Sequence, residues 1–142
     1  FLAPSRFHEV LPDPDAPAPD QVTRAVFCTG KVYYDLAAYR KERNIADTVI
    51  IRLEQIYPLA REQLTFLLAP YQKVRDFVWC QEEPSNMGAW GHLRNRLGHL
   101  FATSFRYAGR PPMACPAEGA KALHAAAQKR LIATAFGPRA QS

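Results

Sequence analysis

The feature that most constrains this chain is an alternation of short apolar runs with segments of helical periodicity. The apolar runs are rich in β-branched and aromatic residues and too short for helices, which predicts β-strands. Strands are expected at Arg24–Cys28, Thr48–Leu53, Asp76–Cys80 and Ser104–Tyr107. Helices are expected at Val32–Lys41, Arg61–Leu68, Ala89–Leu100 and Ala117–Phe136. Because strands that alternate with helices form parallel sheets buried on both faces, the sequence predicts a three-layer, Rossmann-like α/β domain with a mainly parallel sheet.

The first 22 residues differ in composition from the rest of the chain. They contain Pro4, Pro12, Pro14, Pro17 and Pro19. Proline fixes φ and lacks an N–H donor, so this stretch cannot sustain a helix. We therefore expect residues 1–22 to form an extended linker or arm and residues 23–142 to form one domain. An additional strand at an edge of the sheet is not discernible from the pattern.

Charge, hydropathy and cysteine usage exclude several classes of protein. The net charge of +5 comes from Lys and Arg interspersed with Asp and Glu, and no nucleic-acid-binding motif is present. No apolar run reaches the length of a membrane helix, about 20 residues. Cys28, Cys80 and Cys115 are odd in number and far apart, so they predict no disulfide framework, no metal site and a reducing compartment. Cys28 and Cys80 stand in apolar strands and are expected to be buried.

Polar residues follow each predicted strand. Because the carboxyl ends of parallel strands meet at one edge of the sheet, the loops after them should converge on a common rim. The residues that follow or end the four strands are Thr29, Gly30 and Lys31; Arg52, Glu54 and Gln55; Gln81, Glu82 and Glu83; Gly109 and Arg110.

Two interpretations of this rim remain open. The cations Lys31, Arg52 and Arg110, together with Gln81, could bind a phosphate or carboxylate of an effector. Alternatively, the carboxylates could neutralise those cations in an ion-pair network at an interface between domains or subunits, and charge clusters of this kind are more often structural. The carboxylates concerned are Glu54, Glu82 and Glu83.

Sequence motifs for an independent active site are missing. Thr29-Gly30-Lys31 lacks the remaining residues of a P-loop, and no GxGxxG or GxSxG pattern occurs. His92, His99 and His124 have no second ligand at metal spacing. We therefore assign no catalytic residue and no metal ligand to this chain.

Four segments at the rim carry a resemblance to a known family. They are FCTGKVYYDL (Phe27–Leu36), IIRLEQIYPL (Ile50–Leu59), VWCQEEPSNMGAW (Val78–Trp90) and RYAGRPPMACPAEG (Arg106–Gly119). In this order they resemble the C-terminal domain of the thiamine-diphosphate-dependent decarboxylating component of 2-oxoglutarate dehydrogenase, a transketolase-like enzyme. The resemblance extends from Thr23 to Phe136. Met113, Cys115 and Glu118 depart from the family's pattern.

The resemblance implies a function for the parent enzyme. Such an enzyme decarboxylates 2-oxoglutarate in the tricarboxylic acid cycle and passes the succinyl group to the lipoyl arm of an acyltransferase partner. Thiamine diphosphate and Mg²⁺ are bound in the preceding domains, and this chain lacks the Gly-Asp-Gly…Asn cofactor motif. The chain alone is therefore expected to bind no cofactor and to be inactive.

The resemblance also implies a supporting role for this domain. It is expected to contact the preceding domains, to support a homodimer, and in some members to bind acetyl-coenzyme A or AMP as an effector. The equivalent domain of a 2-oxoadipate dehydrogenase is an alternative. The implied compartment is the bacterial cytoplasm or the mitochondrial matrix.

Overall fold

The computed structural model describes residues 8–112 and 121–138. The strands are β1 (Val10–Leu11), β2 (Arg24–Cys28), β3 (Thr48–Leu53), β4 (Asp76–Pro84) and β5 (Arg106–Arg110). The helices are α1 (Val32–Glu42), α2 (Arg61–Leu68), α3 (Trp90–Phe101) and α4 (Lys121–Phe136). The predicted alternation is confirmed, although β4 continues four residues further than expected and β5 is shifted towards the carboxyl end. Residues 117–120 of the predicted last helix lie outside the described residues.

The strands form a five-stranded sheet in the order β1-β3-β2-β4-β5. Strands β2 to β5 are parallel to their neighbours, and β1 runs antiparallel to β3. One buried cluster packs the sheet against α2 and α3, and a second packs the opposite face against α1 and α4. The mainly parallel three-layer α/β fold is therefore confirmed.

The composition of the two clusters follows from strand geometry. Successive side chains of a strand point to opposite faces, so Phe27 and Trp79 pack under α2 and α3, whereas Val26, Ile50 and Cys80 pack under α1 and α4. All five side chains are completely inaccessible to solvent. Burial of a large apolar side chain contributes about 1.5–3 kcal/mol, so these alternating positions are the main source of stability of the sheet.

The described part of the N-terminal arm belongs to the sheet. The carbonyl of Glu9 accepts hydrogen bonds from the backbone N–H groups of Glu54 and Gln55, next to the β1–β3 pairing. The carboxylate of Asp13, whose side chain is 0% exposed, accepts hydrogen bonds from Arg40 on α1 and from the backbone N–H of Ile50. Residues 8–22 thus contribute an edge strand and a buried ion pair, neither of which was discernible from the sequence.

A second ion-pair group lies at the amino ends of β2, β4 and β5. Asp76 at the start of β4 accepts hydrogen bonds from Arg24 of β2 and Arg106 of β5. Both arginines also donate to backbone carbonyls at the end of α4, including those of Phe136 and Gly137. Cations at a helix C-terminus satisfy carbonyls that lack partners and interact favourably with the helix dipole. This group therefore anchors α4 to three strand positions.

The stability of the domain should depend on the charge of Asp76. Burial alone would raise the pKa of Asp76, but hydrogen bonds from Arg106 and Arg24 outweigh it and lower the pKa. The stabilisation is then fully present above the unfolded-state pKa of about 4 and is lost as pH falls through the lowered folded-state pKa. We expect the free-energy difference between the native chain and Asp76→Asn, measured by urea unfolding, to shrink below about pH 4. Asp20→Asn, at an exposed position, is the control. A free-energy difference between the native chain and Asp76→Asn that does not change with pH would contradict the prediction.

The two described cysteines are buried next to each other. Cys28 and Cys80 are register partners on β2 and β4, and both are 0% exposed. Burial raises the pKa of Cys28 well above its ordinary value and that of Cys80 to about 12. Because the thiolate is the reactive form, we expect iodoacetamide to modify both thiols only after unfolding, as measured by mass spectrometry of peptides. Modification under native conditions would contradict this expectation. Cys115 lies outside the described residues.

Candidate functional site

The side chain of Arg52 lies at the carboxyl end of β3, on the face covered by α1. Its guanidinium carbon is 5.4 and 5.3 Å from the ring centroids of Tyr33 and Tyr34, and Nη1 donates to the Tyr34 hydroxyl at 3.4 Å. The Nε atom lies 2.7 Å from Oε1 of Glu54 without hydrogen-bond geometry, so this contact is an ion pair. The fold therefore brings Arg52 and Glu54 together as an ion pair within the domain.

Lys31 lies at the same edge, immediately before α1. Gly30 has a positive φ of 76°, a conformation that favours glycine, and it turns the chain from β2 into the helix. Its carbonyl accepts the N–H of Tyr33, and that of Lys31 accepts the N–H of Tyr34. The Lys31 side chain is exposed. It is therefore accessible from solvent, and its predicted contact with an effector stays a prediction.

Glu82 lies in a polar contact that joins three elements. Nε2 of Gln128 on α4 donates to Oε1 of Glu82 at 3.0 Å and to Oδ2 of Asp35 on α1 at 2.8 Å. Oε1 of Gln128 is buried and has no hydrogen-bond partner among the residues that the structure describes. Glu82 thus contacts an amide where the sequence pattern predicted an arginine or lysine, and the contact fixes α1 and α4 relative to β4.

Arg110 ends β5 and is 7% exposed. Its Nη2 lies 2.9 Å from Nδ1 of His124 in the first turn of α4. A guanidinium can only donate, so Nδ1 is the unprotonated ring nitrogen in this contact. Arg110 therefore supports the start of α4, and its position at the rim agrees with the predicted convergence.

Gln81 has a role different from the predicted effector contact. Its side chain is 0% exposed and points to the face covered by α3. Oε1 accepts hydrogen bonds from the indole Nε1–H of Trp79 at 2.8 Å and from the backbone N–H of Trp90 at 3.2 Å. Nε2 donates to the backbone carbonyls of Glu83, Pro84 and Met87. With these five bonds the amide organises the turn between β4 and α3 and has no capacity left for a ligand.

Glu83 stands beside the same turn with an exposed side chain. Its backbone carbonyl accepts a hydrogen bond from the Tyr107 hydroxyl at 3.2 Å, and burial raises the pKa of Tyr107. A Cβ atom on Gly88, which has a φ of 69°, would come within 3.1 Å of the Glu83 Cβ and of Oε1 of Gln81. The turn therefore requires glycine at residue 88. The predicted ion-pair role of Glu83 stays a prediction.

The rim is thus divided by the face of the sheet to which each side chain points. Arg52, Glu82 and Arg110 contact α1 or α4, whereas Gln81 contacts the turn before α3. The α1 side presents guanidinium and ammonium groups next to carboxylates, an arrangement suited to binding an anion or to docking a charged surface. Reacting groups such as an activated nucleophile were not found among the described rim residues.

Asp35, Gln128 and Tyr34 were not among the rim residues predicted from the sequence. Asp35 and Tyr34 are in the first turn of α1, and helices that follow parallel strands begin at the ligand-binding edge. That rule, applied to helix starts as well as strand ends, would have added the two residues. Gln128 is in the second turn of α4, and only its contact with Glu82, 46 residues away, reveals its role.

The described residues do not fit a metal or a metal-dependent cofactor. Residues 8–112 and 121–138 contain no group of three or more His, Cys, Asp or Glu side chains that could hold a metal ion. This part of the chain therefore offers no ligand set for the Mg²⁺ that accompanies thiamine diphosphate. Within the same residues, no helix is both long and apolar enough to cross a membrane.

The fold has a counterpart among solved structures. A chain described as "Split gene transketolase, inactive beta4 tetramer" superimposes with a TM-score of 0.62 at 12% identity, covering 96% of this chain and 43% of that one. At this identity the likeness establishes the fold, which is of the transketolase C-terminal type.

The sequence comparisons identify the family. The 2-oxoglutarate dehydrogenase E1 component of Azotobacter vinelandii is 44% identical over 140 residues, which cover 95% of this chain and 15% of that protein. The E1 component of Haemophilus influenzae is 44% identical over 132 residues, covering 92% and 14%. The chain thus spans about a seventh of these relatives. The family model described as "2-oxoglutarate dehydrogenase C-terminal" matches residues 1–136. This chain therefore belongs to the 2-oxoglutarate dehydrogenase C-terminal family.

Proposed function

We propose that this chain is the terminal domain of an enzyme that oxidatively decarboxylates 2-oxoglutarate and transfers the succinyl group to a lipoyl acyltransferase in the tricarboxylic acid cycle. The observation that carries the proposal is 44% identity to an E1 component over 95% of the chain. Thiamine diphosphate and Mg²⁺ would be bound outside this chain, in the preceding domains. The parent enzyme would work in the bacterial cytoplasm or the mitochondrial matrix.

The domain itself would serve assembly, through contacts with the preceding domains and within a homodimer. Several polar side chains at the rim pair with each other within the domain, such as Arg52 with Glu54 and Gln128 with Glu82. The same edge exposes large apolar side chains, Tyr34 at 61%, Tyr57 at 70% and Leu123 at 62%. Aromatic residues are enriched at protein interfaces, which supports a docking role for this edge.

The proposal predicts a clear division of activity. The full-length protein, supplied with thiamine diphosphate and Mg²⁺, is expected to release CO₂ from 2-oxoglutarate with reduction of ferricyanide, whereas the 142-residue chain alone shows no turnover. The reason is that the cofactor supplies the carbanion stabilisation, and the described residues offer no metal site. Parallel assays with 2-oxoadipate distinguish the substrates. Preference for 2-oxoadipate would favour the alternative dehydrogenase, and activity of the chain alone would contradict the proposal.

A second candidate function is effector binding at the rim. The exposed Lys31 and the ordered Arg52 lie at the same edge and could bind the phosphates of acetyl-coenzyme A or AMP, with Arg110 further along that edge at the end of β5. Calorimetric titration of the full-length protein tests this function. Lys31→Ala and Arg52→Ala are expected to weaken binding, while Lys41→Ala, an exposed lysine at the far end of α1, serves as control. The absence of binding to the native protein at millimolar ligand would exclude it.

A further inference from the structure

Helix α3 carries two arginines whose charge no carboxylate of the described residues neutralises. Four arginines of the described residues form salt bridges, namely Arg24, Arg40, Arg52 and Arg106. Arg94 and Arg96 take part in no salt bridge within the described part of the chain. Each lies over an aromatic ring, Arg94 over Trp90 at 5.8 Å and Arg96 over Tyr57 at 5.7 Å. The contacts with the rings hold the two arginine side chains in place, and their positive charges remain available to an anionic ligand.

The helix itself reinforces this positive character. Its twelve residues, Trp90–Phe101, include Arg94 and Arg96 and contain no Asp or Glu. A positive surface without internal counter-charges attracts anions.

Two adjoining grooves run along the Arg94 side of α3 and share Arg94 and Asn95. Arg96, two positions further on, points away from this side and lines neither groove. One, of about 310 Å³, extends towards the hydroxyl groups of Thr103 and Ser104. The other, of about 490 Å³, extends past Gly91 towards Ser85. None of the described residues that line the two grooves is Asp or Glu. A guanidinium surrounded by hydroxyl and amide donors is the arrangement that binds phosphate oxygens.

Gly91 adds a second line of support. A Cβ atom at this position would have no neighbour within 4 Å, so the fold does not require glycine here. Glycine does, however, permit a ligand to approach the backbone closely where the second groove passes α3.

We propose that the grooves on the outer side of α3 form a binding site for an organic phosphate, with Arg94 as the central anion contact and with Asn95, Thr103 and Ser104 as further donors. This site lies on the α3 side of the sheet, whereas the Lys31–Arg52 rim lies at the start of α1. It does not depend on the activity proposed for the parent enzyme.

The proposal is tested by calorimetric titration of the 142-residue chain with inorganic pyrophosphate at low ionic strength. We expect saturable binding at one site, weakened about tenfold or more by Arg94→Ala, because a charge-assisted hydrogen bond is lost. Gly91→Glu should weaken binding similarly, since it places a carboxylate in the groove. Gly91→Ala, in the same position, should leave the melting temperature unchanged or raised, which shows that α3 tolerates a side chain there.

Arg43→Ala is the matched control, because Arg43 also lies over an aromatic ring, that of Tyr39 at 4.4 Å, but on the α1 side of the domain. Its affinity for pyrophosphate should stay within about twofold of the native value. Equal weakening by Arg43→Ala, heats that do not saturate, or equal displacement by hexaglutamate would overturn the proposal. The full-length protein is titrated in parallel, and loss of binding there would mean that another domain covers the grooves, which also overturns it.

Discussion

Replacement of Asp13 by alanine is expected to lower the free energy of unfolding by about 3–5 kcal/mol, the usual cost of removing one partner from a buried ion pair. The side chains of Arg40 and Asp13 are 6% and 0% exposed. The substitution leaves the Arg40 guanidinium buried with one remaining acceptor, the carbonyl of Thr48, and removes the acceptor of the Ile50 N–H. Urea unfolding followed by circular dichroism measures the change.

The exposed neighbour Asp15 provides the control for this experiment. Asp15→Ala is expected to change stability by less than about 0.5 kcal/mol, as is usual for surface substitutions. Replacement of both members of the pair, Asp13→Leu with Arg40→Leu, should recover much of the loss, because no unpaired charge remains. If Asp13→Ala costs under about 1 kcal/mol, residues 8–22 behave as a separable arm rather than as part of the folded domain.

The alternation of strands and helices was predictable because it is local and repeated. Strands β2 and β3 begin and end at the residues that the apolar runs indicate, since the residues beyond them, such as Thr29 and Glu54, leave the buried interior. The edge strand β1 was not predictable. It has two residues in a proline-rich stretch, and its position depends on Asp13 and on hydrogen bonds to Glu9 from residues more than 40 positions away.

The rim was predictable as a location but not in its pairings. The rule that parallel strands end at one edge placed Arg52, Glu82 and Arg110 correctly at a common border. It could not indicate that Glu82 would contact Gln128, since that pairing depends on how α4 packs against the sheet. The rule also could not indicate which side chains of β4 point to which face of the sheet. A strand that is buried on both sides lacks the alternation of polar and apolar residues that normally distinguishes the two faces.

Gln81 shows how the two-residue periodicity of a strand indicates the face to which a side chain points. Phe77, Trp79 and Gln81 alternate along β4, so all three point towards α3, and the polar residue follows two core residues on that face. A glutamine in such a position must satisfy its amide internally, because a buried polar group without partners is costly. The extension of β4 to Pro84 follows from this requirement, since the amide binds the carbonyls of Glu83 and Pro84 and holds the strand.

The substitution Gln81→Ala is therefore expected to destabilise the domain by about 4 kcal/mol, since several buried groups lose their partners and each costs about 1–3 kcal/mol. The indole N–H of Trp79 and the backbone N–H of Trp90 lose their acceptor, and the Met87 carbonyl loses its donor. The carbonyls of Glu83 and Pro84 keep other donors, the Tyr107 hydroxyl and the Met87 N–H. Trp79 is 0% exposed, so water replaces these bonds only if the turn before α3 opens. Unfolding in urea, followed by tryptophan fluorescence, measures the loss.

Two further variants separate the structural role of Gln81 from the effector contact suggested by its position in the sequence. Gln63→Ala, an exposed glutamine on α2, should leave stability within about 0.5 kcal/mol of the native value. Gln81→Glu keeps the shape and an acceptor oxygen for the N–H groups of Trp79 and Trp90, but it loses the donor group. Its carboxylate would face three carbonyl oxygens, so this variant should be destabilised as strongly as the alanine variant. A Gln81→Ala protein of native stability that no longer binds acetyl-coenzyme A or AMP would instead establish Gln81 as a ligand contact.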